Sequence, residues 1–146
     1  MQAKYRFLRG VVWVVGAYHI ILGVILNCPV SWIVWTSNHI LGATRMPDAS
    51  ALFLARMLGV YLVAFGVAMA LAAWDPIKNR AILSIGAILV ALRTLQRLVQ
   101  ADDLQQGLGI SGGTNWVTVI VLVVLAAFLL FFRIQLYRDM QKSSAP

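Results

Sequence analysis

The chain has 146 residues, of which 61% are hydrophobic and 12% charged, and its mean hydropathy is +0.84. A soluble domain of this size carries about twice that charged fraction, so composition excludes an ordinary water-soluble fold and predicts an all-α integral membrane protein of one domain, 1–146. The net charge of +7 suits helix orientation and contact with anionic headgroups rather than nucleic acid, since no basic run is dense enough to track a phosphate backbone.

The chain opens on a basic leader with Lys4, Arg6 and Arg9, and a first apolar span follows over 8–26. A basic stretch before an apolar run also describes a signal peptide, and Ile25-Leu26-Asn27-Cys28 resembles the end of a lipoprotein signal. Asn27 before the cysteine, Pro29 after it and the length of the run favour a retained helix with Cys28 unmodified. A single cysteine also excludes an internal disulfide framework and a multi-cysteine metal site. Within the connection 27–50, Ser31-Trp32-Ile33-Val34-Trp35 is too short to span. Tryptophan favours the headgroup level, so a short interfacial or re-entrant turn is expected after helix 1. Asp48 or Ser50 then serves as N-cap of the next helix.

The second span covers 51–74 and ends at Asp75-Pro76. The link to the third span, 81–100, is short enough to make the two antiparallel neighbours. Residues 101–115 are acidic and then glycine-rich, which predicts a flexible loop. The fourth span, 116–133, is dominated by Val and Leu and is expected to face lipid most, with a polar tail from Arg133 onward. The expected architecture is an integral membrane four-helix bundle with short loops. Eight basic residues (Lys4, Arg6, Arg9, Lys78, Arg80, Arg133, Arg138, Lys142) fall on the side of the chain termini. Four (Arg45, Arg56, Arg93, Arg97) fall on the other, which predicts cytoplasmic N- and C-termini.

Polar residues inside these spans carry the functional expectations. Arg93, Gln96, Arg97 and Gln100 recur at i, i+3, i+4 and i+7, so they form one stripe on the third helix. Arg93 lies roughly 18 Å along a helix that starts at Ala81, and an arginine at that depth faces protein or water rather than lipid tails. With Arg56 from the second helix, these residues are the candidate ligand-binding set, in a pocket open to the outer side. Asp48, Asp102 and Asp103 are the candidate charge partners that would neutralise it. Gly16-Ala17-Tyr18 with Gly23-Val24, and Gly59-Val60-Tyr61 with Gly66-Val67, share the pattern G-x-Y-x-x-x-x-G-V. The glycines are expected to form packing seams between helices, and an inverted repeat is the sharper alternative. His19, Tyr18 and Tyr61 are the remaining intramembrane polar groups. His19 is expected to hydrogen-bond a neighbouring helix, the alternative being a pigment or haem ligand.

No H-E-x-x-H, G-x-S-x-G or phosphate-cradling glycine loop is present. No glutamate is present either, unlike in small four-helix multidrug exporters, whose coupling relies on a membrane-embedded glutamate. No catalytic residue, metal site or resident cofactor is therefore predicted. From Arg56-Met57-Leu58-Gly59 through Trp74-Asp75-Pro76 to Arg93 and Arg97, with an echo in 9–23, the chain resembles small bacterial four-helix membrane proteins of the DoxX-like kind. That resemblance implies a bacterial inner-membrane protein and, for some members, a link to quinone or sulfur redox chemistry. The expected function is that of a non-catalytic accessory or structural membrane protein. The alternative is a binding or redox protein for an anionic lipid, a quinone or a small acid at the arginine pocket. The bilayer is the expected partner, with other membrane subunits or a second copy as further candidates.

Overall fold

The computed structural model describes residues 5–40, 42–45 and 48–143. Six helices, with no strand among the described residues, follow in the order α1 (Arg6–Ile25), α2 (Val30–His39), α3 (Ala49–Trp74), α4 (Arg80–Val99), α5 (Ala101–Leu108) and α6 (Gly112–Ser143). Four of them, α1, α3, α4 and α6, are long and apolar enough to cross a membrane.

Helix boundaries depart from the sequence expectation where polar residues turn out to be good helix formers. α3 starts at Ala49 because Asp48 is its N-cap, its carboxylate accepting the Ala51 N–H at 2.7 Å. The segment after Pro29 is a ten-residue helix rather than a turn, burying Ile33 and Thr36 and exposing Trp32 and Trp35. The stretch expected to be a flexible loop forms α5. Asp102 and Asp103 stand in its first turn, where acids favour a helix start, and Gly109 ends it at φ +67°. The polar tail is also a correction. No glycine or proline interrupts 134–143, so α6 runs on to Ser143 and is about 48 Å long. Its extension packs through Leu136, nearly inaccessible, and the Tyr5 hydroxyl donates to the Asp139 carboxylate. Burial, and then that carboxylate, push the Tyr5 phenol from its ordinary 10.0 up to about 12, so it stays a donor into the alkaline range.

The long helices associate as two pairs. In the first, α1 and α3 run antiparallel through a reciprocal glycine contact. A Cβ placed on Gly66 would meet the Gly16 carbonyl oxygen at 2.6 Å, and one on Gly23 would meet that of Gly59 at 2.5 Å. Four glycines thus let two backbones approach as closely as membrane helices do. In the second pair α4 lies against α6, and Gly86 of α4 admits Met69 and Leu129.

The tight turn between α3 and α4 is closed by polar caps. Asn79 donates to the Leu71 and Asp75 carbonyls at 3.0 and 3.1 Å. Arg9 of α1 reaches across to donate to the Ala73 and Trp74 carbonyls at 2.7 and 2.9 Å. These are the orphan acceptors at the α3 C-terminus, where a cation also meets the negative end of the helix dipole.

The two pairs share a core at one end only. At the end holding Tyr5 and the α6 extension, the terminal end, one apolar cluster joins Val12 and Val15 of α1, Met69 and Ala72 of α3, Leu83 and Val90 of α4, and Leu129 and Phe132 of α6. At the opposite loop end a second cluster, Leu22, Leu26, Ile33 and Leu62, belongs to α1, α2 and α3 alone. What links the pairs there is a strap at 42–45. Thr44 N–H donates to the Leu108 carbonyl at 3.0 Å, Thr44 Oγ1 donates to that of Gly109 at 3.2 Å, and Arg45 donates to that of Gln106.

Candidate functional site

Where the shared core ends, polar side chains begin. Past Val90, α4 presents Arg93 and Arg97 half-buried, one helical turn apart, while Gln96 and Gln100 lie exposed and bond to each other at 3.2 Å. Arg97 is held in place by α6. Its Nη1 donates to Asn115 Oδ1 at 3.0 Å, and Asn115 Nδ2 donates back to the Arg97 carbonyl at 3.2 Å. Asn115 is 6% exposed. Sequence reasoning missed it because it reads as the last loop residue before an apolar run, and only the pairing of α4 with α6 reveals its role.

Across from α4, His19 of α1 is half-buried with its ring edge-on to Phe65 at 4.8 Å and to Tyr18 at 5.3 Å. Its Nδ1 sits 2.7 Å from the Val15 carbonyl. A carbonyl only accepts, so Nδ1 carries a proton and Nε2 is left for another partner. His19 is six residues from the end of α1 at Ile25, and Arg93 six from the end of α4 at Val99. Both therefore lie about 9 Å inside their helices.

Arg93 and Arg97 thus share one face of α4, and His19 with Tyr18 stands at the same height on α1, while the other sequence candidates lie apart. Arg56 is exposed, and among the described residues only its backbone is engaged, the carbonyl accepting from Asn27 at 3.4 Å. Tyr61 is exposed on α3 with no hydrogen bond to the group. The three acids are occupied or distant: Asp48 caps α3, while Asp102 and Asp103 are exposed at the start of α5. Among the described residues no ion pair joins Arg56, Arg93 or Arg97 to any of them. The second histidine, His39, stacks on Trp35 within α2 and bonds the Trp35 carbonyl. No group of three metal-ligating side chains occurs among the described residues.

Two guanidinium groups one turn apart repel each other. With no acid at hand, their field is directed at whatever occupies the space beside them. The arrangement can hold a carboxylate, a phosphate or a carbonyl oxygen through charge-assisted donors, with the His19 Nε2 as an acceptor nearby. No protein-family model, curated protein or solved structure matches the chain.

Proposed function

We propose that this chain is a bacterial inner-membrane protein, a bundle of four spanning helices that binds a membrane-soluble ligand through an anionic or carbonyl oxygen at Arg93 and Arg97. The carrying observation is that two half-buried arginines, level with His19, have no acidic partner among the described residues. A structural or accessory protein whose charges neutralise one another internally would show the opposite. One observation favours that second reading: the reciprocal Arg97–Asn115 pair ties α4 to α6 whether or not a ligand is present.

Oleate, added to the protein purified in a mild neutral detergent, tests the assignment. A ligand at a hundred times its Kd adds about 2.7 kcal/mol of stability, so wild type should melt several degrees higher. Arg93→Ala should gain nothing. Absence of any shift in wild type, together with no lipid or quinone co-purifying by mass spectrometry, would leave the internal structural role standing instead.

The basic residues of the terminal end, Arg6, Arg9, Lys78, Arg80, Arg133 and Arg138, support placing that end in the cytoplasm. In a Cys28→Ser background, Gly112→Cys should label from the periplasmic side of intact cells. Gln141→Cys should label only after the membrane is opened, and the reverse pattern would invert the topology.

A further inference from the structure

At the terminal end, far from the arginine pair of α4, a shallow, open notch of about 300 Å³ lies along α1, lined by Arg6, Arg9, Gly10 and Trp13. These residues are spaced i, i+3, i+4 and i+7, so they share one helix face. Gly10 lies between them on the exposed face, and a Cβ there would have nothing within 4 Å, so the space above it is open. Trp13 forms one wall and is 43% exposed. Arg9 forms the other, and its guanidinium is immobilised by the Ala73 and Trp74 carbonyls, with further N–H groups left to donate. Arg6 is exposed and has no hydrogen-bond partner among the described residues.

We infer that this notch holds the phosphate of an anionic phospholipid, with the head group over Gly10 and against the indole of Trp13. Charge complementarity selects the occupant. Two acids lie at this end, and both are engaged, Asp139 with Tyr5 and Asp75 with the Lys78 N–H. Among the described residues, neither Arg6 nor Arg9 is paired with an acid. Arginine matches a phosphate through paired donors, and tryptophan settles at the headgroup level of a bilayer. The fixed Arg9 makes the site pre-organised rather than a mobile basic fringe. The inference rests on the membrane-spanning assignment and is independent of the ligand at Arg93.

The test uses the full chain in phosphatidylcholine nanodiscs carrying phosphatidylglycerol with a photoreactive head group, and cross-links are mapped to the peptide containing Gly10 and Trp13. Wild type should label there, and an excess of phosphatidylcholine or millimolar inorganic phosphate should not compete. Gly10→Leu fills the notch, meets no neighbour and raises helix propensity, so it should fold normally and lose the label. Arg6→Gln should weaken labelling roughly five-fold, the effect of one arginine near an anionic surface. Arg93→Ala should label as wild type does. Equal labelling of wild type and Gly10→Leu would overturn the inference. So would equal labelling by a phosphatidylcholine probe, and competition by inorganic phosphate would make this a free-anion site instead. If the chain stays in water without detergent and fails to float with liposomes, the spanning assignment itself fails, a result distinct from all of these.

Discussion

Gly23→Ala should force α1 and α3 apart. The new Cβ would stand 2.5 Å from the Gly59 carbonyl oxygen and 2.8 Å from the Val63 nitrogen. Both are backbone atoms, so no side chain can rotate out of the way and the helices must separate. The loss extends to Leu22, Leu26 and Leu62, which pack on either side of the contact. Overpacking of this kind costs about 1–3 kcal/mol and sometimes more. The reciprocal arrangement predicts a comparable loss for Gly66→Ala, whose Cβ would meet the Gly16 oxygen at 2.6 Å. Denaturant titration in detergent, followed by circular dichroism, gives the comparison. Gly10→Ala is the control, since its Cβ meets nothing and the helix gains up to about 1 kcal/mol of propensity. A Gly23→Ala protein that unfolds at the wild-type midpoint would rule out the close backbone contact.

Asn115→Ala should also be strongly destabilising, and Asn115→Asp should separate stability from ligand binding. The alanine variant removes the acceptor of Arg97 Nη1 and the donor to the Arg97 carbonyl together. A hydrogen bond to a charged group contributes about 1.5–3 kcal/mol, and a half-buried arginine without its partner loses at least that. A double-mutant cycle with Arg97→Gln should return a coupling of similar size, whereas additive losses would show that the pair does not act as a unit. Asn115→Asp places a carboxylate where the Asn115 Oδ1 now accepts. It supplies the missing acid, keeps a donor–acceptor contact with Arg97 and partly neutralises the field of both arginines. The protein should stay folded, and protection by added oleate should shrink. Undiminished protection would separate the ligand from the arginine pair.

The apolar runs were legible because length and hydropathy alone decide them, and all four reappear as long helices. What composition hides is continuity. Residues 133–143 and 101–108 look like tail and loop because they are polar, yet neither stretch contains a breaker before Gly107, and each continues as helix. The arginine stripe of α4 was legible from spacing. Its surroundings were not, because they depend on helices far apart in the chain. Arg97 meets Asn115 across the α4–α6 pair, and Arg93 comes level with His19 across the gap between pairs. Nearness in sequence pointed to the acids as partners. Asp102 and Asp103 follow Gln100 closely, but they begin a new helix and stay exposed there. Asp48 lies at the entry to α3, and its carboxylate is already engaged by a backbone N–H.

A core that joins two helix pairs at one end alone gives the molecule the mechanics of a peg. Around Leu83, Met69, Leu129 and Phe132 the pairs are clamped by buried side chains, so a small angular displacement there grows with distance along α4. Arg93 and Arg97 lie beyond the clamp, where that displacement of α4 is larger. The strap through Thr44 and Arg45 to the end of α5 is then the limiting tie. Its few hydrogen bonds are the contacts that hold the two pairs together at the loop end.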